Sequence, residues 1–477
     1  MRRRRFLGAL AAAAAAPLGA RAATQAMPSP KAIVALVRAE YLHAWNGYKR
    51  FAWGHDEVRP VSGTPHDFFI PGHSLGLSII ESMDTHYVMG LDAELASCVR
   101  WLRTNLTFDV DGEVEMFEAV IRMVAGLTTG YYATGERFLL EGARDLADRL
   151  LPCFSKSPTG VPYRFVNLRT GAVRGAVTNL AEAGSNILEF ADLSRLTGDP
   201  KYRDASKRAY RAVIEKRSAL DLLGTYFDVE KGVFTQNDDV APNPPADSFY
   251  EYLWGGWAML GDSDCRDWYR MLTGALLKYA SVRVDGNLWF QAVDYTTGRP
   301  TGDRSQSELA AFYAEVLAKG GERSMGAAYY DSFTAVAEKY ELIPETFDFT
   351  TFAVDPNDPG FELRPEYPNA AFDLWFLTRD PKYRTTAYAH FLALQKHCRV
   401  PNGYTVLTDI RTTPMTQGDL FPAYAFSENF KYLYLMFAGS LRFDGGGYYL
   451  NTEGKVMRGL RGNPVRVPPV YSRTGTG

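Results

Sequence analysis

Two kinds of hydrophobic pattern alternate along this chain. Residues 138–151 (FLLEGARDLADRLL), 201–214 (KYRDASKRAYRAVI) and 382–394 (KYRTTAYAHFLAL) place apolar or aromatic residues at steps of three and four, with charges between. That period is the mark of a helix with one wet face. Residues 74–88 and 187–196 are more apolar, as expected of inner, more deeply buried helices. A short junction recurs where a buried helix hands over to a half-wet one. It stands as Met89-Gly90-Leu91-Asp92, Thr134-Gly135-Glu136, Thr197-Gly198-Asp199-Pro200, Leu260-Gly261-Asp262, Lys319-Gly320-Gly321-Glu322 and Thr378-Arg379-Asp380-Pro381. Glycine suits the left-handed residue that ends one helix, the acid caps the next, and proline fits its first turn.

Six such junctions divide the chain into seven helical hairpins, each an outer helix followed by an inner one. No strand–helix alternation predicts a parallel sheet. The connections at 155–178 and 218–246 are long and rich in Gly, Pro, Asn and Tyr, and loops of this length usually carry function. Residues 442–457, with Gly445-Gly446-Gly447 and Tyr448-Tyr449-Leu450, read as a β-hairpin. An open stack of hairpins needs polar caps at both ends. The first and last hairpins offer none, so the predicted fold is all-α and closed into a ring.

The first residues read as a targeting segment. Arg2 to Arg5 form a basic start, Arg3-Arg4-Arg5-Phe6-Leu7 fits the twin-arginine pattern, a short apolar run follows, and Ala20-Arg21-Ala22 offers a cleavage site. A twin-arginine signal implies a bacterial protein that folds before export to the periplasm or the medium. The expected division is a signal peptide at 1–22, one domain at 30–458 and a disordered Pro/Gly/Arg-rich tail at 459–477. Cleavage removes five arginines and no acid, taking the formal charge from −3 to −8. An acidic chain without a basic stripe is no candidate for nucleic-acid binding. No run of about 18 apolar residues predicts a membrane span. The four cysteines (Cys98, Cys153, Cys265, Cys398) lack CxxC spacing and the seven histidines lack HExxH, which argues against a zinc enzyme.

Acids recur where inner helices are predicted to begin: Glu118, Asp247, Glu366 and Glu428, each beside aromatic residues or proline. One acid at a helix start is ordinary dipole chemistry. Several from distant parts of a ring would converge on one mouth, and apolar flanks raise a carboxyl pKa toward general-acid work. Converging carboxylates in an aromatic cleft are what glycoside hydrolysis requires.

At these residues the sequence resembles the class I α-mannosidases, glycoside hydrolase family 47, from about Tyr41 to Val456. The resemblance is carried, in order, by Ala44-Trp45-Asn46-Gly47-Tyr48, Glu81-Ser82-Met83-Asp84-Thr85, Phe117-Glu118 with Arg122, Pro158-Thr159-Gly160-Val161-Pro162-Tyr163, and Leu188-Glu189-Phe190. It continues through Asp247-Ser248-Phe249-Tyr250-Glu251-Tyr252, Leu363-Arg364-Pro365-Glu366, Glu428 with Lys431-Tyr432-Leu433-Tyr434, and Asn451-Thr452-Glu453. It implies an (α/α)7 barrel plugged by a C-terminal β-hairpin, and inverting removal of terminal α-1,2-linked mannose from mannosides or high-mannose glycans. It further implies one Ca²⁺ held by Thr452, Glu366 as general base, and Glu118 or Asp247 as proton donor. Arg122, Arg364, Tyr424, Glu428 and Glu453 match substrate-binding positions. The expected partner is a mannose-containing oligosaccharide, and the expected state a monomer.

The sequence departs from the family at Asn369 and Pro245, where Glu and Arg are usual, at Tyr424 in place of Phe, and at Gly454-Lys455-Val456. The Cys pair of many eukaryotic members has no counterpart near Leu309–Phe312. Two alternatives remain open at this stage: a non-catalytic mannose-binding relative, or an (α/α) barrel that hydrolyses or eliminates another polysaccharide.

Overall fold

A computed structural model describes residues 27–462. The twin-arginine segment at 1–22 lies outside them, as does the tail from 463 onward.

Outer helices span Pro30–Phe51, Asp92–Asn105, Arg137–Leu150, Lys201–Ile214, Ser263–Tyr279, Arg323–Tyr340 and Pro381–His397. Inner helices span Leu77–Met89, 116–134, 180–197, Asp247–Leu260, 308–320, Glu366–Thr378 and 424–438. The two hydrophobic patterns sort as expected. Arg137–Leu150 buries only the stripe Leu139, Ala143, Leu146, Ala147 and Leu150. Leu77–Met89 is buried at every residue. The junction glycines Gly90, Gly135, Gly198 and Gly261 close their helices in the left-handed conformation, with φ of 68°, 76°, 75° and 66°. At the sixth junction Arg379 takes that position with φ 62°, and its guanidinium lies 4.8 Å from the Phe376 ring centroid.

The ring closes. The first outer helix packs on the last inner one, with Tyr41 edge-on to Phe426 and Phe430 at 5.8 and 5.9 Å. Lys431 of the last inner helix also donates to Asp84 of the first at 2.8 Å, both side chains fully buried.

The long connections are not irregular throughout, as the sequence reading had them. Strands Glu113–Glu115, Val177–Asn179 and Ser305–Ser307 each lead directly into an inner helix and pair antiparallel with a hairpin from the next connection. Strands of two to four residues are too short for an alternating pattern to be read. They stitch neighbouring loops together around one end of the ring.

The C-terminal hairpin, Tyr449–Leu450 paired with Val456–Arg458, fills the bore from the other end. Its tip is anchored to helix after helix. Asn451 Nδ2 donates to the Ile121 carbonyl at 3.0 Å and to Glu189 at 2.8 Å, while its Oδ1 accepts from the amides of Glu453 and Lys455. Lys455 Nζ donates to the Glu81 carbonyl at 3.0 Å and to Ser427 Oγ at 2.7 Å. The Thr452 hydroxyl bonds to the Glu251 carboxylate. Gly454 turns at φ 65°, where a Cβ would stand 3.0 Å from both Glu428 and the Tyr432 hydroxyl. The unusual Gly454-Lys455 pair thus fits a tight, cation-anchored turn.

Replacing Asn451 with alanine removes a hydrogen bond from four buried partners at once, of which Glu189 keeps one from Tyr252. A loss of about 3 kcal/mol or more is expected in denaturant unfolding.

Residues 459–462 pack on the turn that precedes the hairpin. Leu460 bridges Phe443, and the Arg461 carbonyl accepts from the Tyr87 hydroxyl at 2.5 Å. Pairing with the preceding turn therefore carries the domain to the end of the described residues. All four cysteines are buried and free, so none is spent on a disulfide. No helix among the described residues is long and apolar enough to cross a membrane.

Candidate active site

Because each inner helix follows its outer partner by one loop, all seven start at the same end of the ring. The first turns of five successive inner helices carry an acid: Glu118, Glu182, Asp247, Glu308 and Glu366. Four of them, Glu118, Glu182, Asp247 and Glu366, line a cavity of about 260 Å³ with the hairpin tip at its floor. That is close to the lower end of ligand pockets, about 300 Å³, and suits a single sugar ring better than a chain. All nine predicted site residues line it: Glu118, Arg122, Asp247, Arg364, Glu366, Tyr424, Glu428, Thr452 and Glu453. Asn369 and Pro245, two of the departures, are in the lining too.

Glu118 and Arg122 sit on either side of a π-helical turn, Ala119–Val124, that opens the second inner helix just after the acid. Such turns are frequent at functional sites. Arg122 Nε bonds to Glu118 at 2.5 Å, and its Nη1 lies 3.2 Å from Glu453 and 3.5 Å from Glu81. The guanidinium is sandwiched by Phe68 and Tyr424, 5.2 and 5.3 Å from the ring centroids. Burial alone would discharge it, but the three carboxylates hold it charged. Arg122 thus fixes one group of acids and ties it to the floor.

Arg364, which shares the Tyr424 ring with Arg122, organises a second group of acids. Its Nε donates to Glu345 at 2.9 Å and its Nη2 to Glu362 at 2.8 Å. Tyr424 lies beneath it and donates its hydroxyl to the Glu362 carbonyl. Glu366, two residues on, is raised to about 7, chiefly by burial. Asp247 is raised to about 6, again chiefly by burial. Glu428 falls at a break between two short helices (φ −119°, ψ −76°), not in a first helical turn as the sequence predicted. The break lets its carboxylate accept from the Tyr432 hydroxyl at 3.1 Å while still lining the cavity.

The sequence reading missed Glu81, Glu182, Glu251 and Glu308 as site residues. Glu182 and Glu308 carry the very signal used for the others, an acid in the first turn of an inner helix. Glu251 lies one helical turn below Asp247, a spacing that keeps both on one face. Glu81 begins no helix. It sits in the second turn of the first inner helix and reaches the site through Arg122 and Lys455.

No three His, Cys, Asp or Glu side chains among the described residues converge closely enough to chelate a metal directly. The donor set at the floor is of another kind. Thr452 offers oxygen atoms at the hairpin tip, and buried carboxylates Glu251, Glu428 and Glu453 stand around it. Glu453 Oε2 makes an ion pair with Arg122 and no further hydrogen bond. Hard cations such as Ca²⁺ take oxygen ligands and waters, which such carboxylates can hold in turn. The residues present therefore fit a calcium site of the Thr-plus-water type.

Comparison with known proteins agrees with this geometry. Residues 40–459 match the family model described as glycosyl hydrolase family 47. The mouse mannosyl-oligosaccharide 1,2-alpha-mannosidase IB is 32% identical over 457 residues, covering 89% of this chain and 70% of its own. The Arabidopsis thaliana mannosyl-oligosaccharide 1,2-alpha-mannosidase MNS1 is 31% identical, covering 92% and 80%. For several such relatives, including the human 1,2-alpha-mannosidase IB, the chain spans somewhat less than two thirds of the relative's length. Among solved structures, the alpha-1,2-mannosidase from Trichoderma reesei superposes with a TM-score of 0.82 at 23% identity, covering 91% of this chain and all of that one. The (α/α)7 barrel, its convergent acids and these matches together place the chain in glycosyl hydrolase family 47, as a glycoside hydrolase.

Proposed function

We propose that this protein is a calcium-dependent, inverting exo-α-mannosidase that removes terminal α-1,2-linked mannose from mannosides or high-mannose glycans, exported by the twin-arginine route to the periplasm or medium. The observation that carries this reading is the cavity itself. It is blind, closed below by the hairpin, so a glycan can enter only by its end. Its acids come from helices spaced around the ring. Asp247 feels the charge of Arg364 and, after it, that of Glu118, and Glu366 feels those of Arg364 and Glu345.

In this reading Glu366 takes a proton from a water molecule as its oxygen attacks the anomeric carbon. The bond to the departing sugar breaks, and that oxygen takes a proton from Glu118 or Asp247. Burial of Asp247 favours its neutral form, which suits proton donation. Arg122 holds Glu118 and Glu453 in place, and Tyr424 gives the sugar an aromatic face. Calcium bound at Thr452 would supply a positive charge that grips sugar hydroxyls at the floor. A water between base and sugar needs carboxyls about 6.5–9.5 Å apart, which side chains from helices across the ring can leave and neighbours cannot.

Proton NMR of purified enzyme on linkage-defined mannobioses tests this. The α-1,2 isomer should be cleaved, with β-mannose appearing first. First-formed α-mannose would refute inversion, and no cleavage of any isomer would leave a binding protein.

A further inference from the structure

Beside the proposed base lies an acid that neither the sequence reading nor the mechanism above uses. Glu308 opens the inner helix of the fifth hairpin and is 0% exposed. Neither of its carboxyl oxygens has a hydrogen-bond donor among the described residues. Its immediate polar neighbour is the Glu366 carboxyl, within hydrogen-bonding reach. The remaining charged groups nearby are Glu345, itself satisfied by the Glu362 amide at 2.6 Å and Arg364 at 2.9 Å, and Arg364, whose bonds go to Glu345 and Glu362.

Two carboxyls in contact, with no donor between them, cannot both be ionised; they keep one proton between them. Glu366 faces the cavity and its water, whereas Glu308 is sealed behind it. The proton therefore belongs on Glu308, where burial and the Glu366 charge both favour the neutral acid. The Glu308 hydroxyl in turn stabilises the Glu366 anion.

We propose, resting on the reading of Glu366 as general base, that Glu308 is its positioning residue. A neutral Glu308 donates an O–H···O bond to one oxygen of Glu366, fixing that carboxylate so that its other oxygen faces the attacking water. When Glu366 takes the water's proton, the pair briefly holds two protons, one on each carboxyl. Glu366 then releases its own to solvent, and Glu308 keeps the proton it began with.

Two variants and one spectrum test this. In Glu308→Gln the amide N–H replaces the acid's O–H, and kcat should stay within about fivefold of wild type. In Glu308→Leu the donor is lost, and kcat should fall about 10- to 100-fold, the scale of removing a supporting hydrogen bond, with KM changed less than about threefold. The wild-type minus Glu308→Gln difference infrared spectrum at pH 7 should show the C=O band of a protonated carboxyl. Wild-type kcat in Glu308→Leu, equal damage in the two variants, or absence of that band would overturn the proposal. Should Glu308→Leu fail to fold, the Glu308→Gln rate and the spectrum still decide. Full activity in Glu366→Gln would remove the base itself, an outcome distinguishable from a failure confined to Glu308.

Discussion

Glu366→Gln should lower turnover by roughly 10² to 10⁴ while mannose still binds. The amide matches the carboxylate in size and still bonds to its neighbours, but it cannot take a proton from water, and loss of a general base costs about that factor. Binding survives because the sugar is held by other groups: Tyr424, the Arg122-tied acids and the floor. Isothermal titration with mannose or a non-hydrolysed mannoside, set beside kcat, measures both halves. A variant near wild-type rate would move the base elsewhere, with Asp247 the first candidate.

The same residue fixes a pH limb. Burial raises the Glu366 carboxyl to about 7, and only the ionised form can act as base. As pH falls through that value the group gains its proton, and kcat/KM should fall about tenfold per further unit, since this ratio reports ionisations of the free enzyme. An acid limb lying near the ordinary Glu value of about 4.3 would contradict the burial described here.

The second large effect is on metal removal. Exhaustive chelation should abolish activity; Ca²⁺ should restore it, and Mg²⁺ should do so poorly because it demands tighter octahedral geometry. The physical ground is the surplus of acid at the floor. Glu251, Glu428 and Glu453 are each raised, chiefly by burial, and the neighbouring carboxylates add to the effect. Lys319, Arg122 and Lys455 offset only part of this. A divalent cation at Thr452 would balance that charge. A readout independent of turnover follows, because a ligand that binds only the folded state stabilises it by about 2.7 kcal/mol at 100 times its Kd. Calcium should therefore raise the melting temperature, and Thr452→Ala should blunt the rise. Full activity after chelation, or a melting temperature indifferent to Ca²⁺, would sink the assignment.

The architecture was legible because it repeats. A wet helix and a dry helix differ in period and composition, and a Gly-acid junction punctuates each pair, so residues 201–214 could be bounded to the residue. Closure was inferred from missing caps and is realised by the packing of Tyr41 on Phe426 and Phe430. The site was legible where an acid opens an inner helix, as at Glu118, Asp247 and Glu366. It was illegible where the relevant relation is spatial. Nothing near Glu308 in the sequence says that its carboxyl meets that of Glu366, 58 positions later. Nor does Glu81 announce that it faces Lys455 from the far end of the chain. Asn369 and Pro245 were read as departures that put specificity in question, and both do border the cavity.

The plug is the last piece of the domain to leave the ribosome. A nascent chain that has reached residue 438 already holds every helix of the ring, including its closing contact, yet its bore is an open tube. Asn451, Thr452 and Lys455 arrive afterwards and turn a channel into a cup. The floor of the cavity, and with it the proposed metal site, thus comes into being in one late step. A chain cut short by about 30 residues would have nothing at the bottom to hold a sugar.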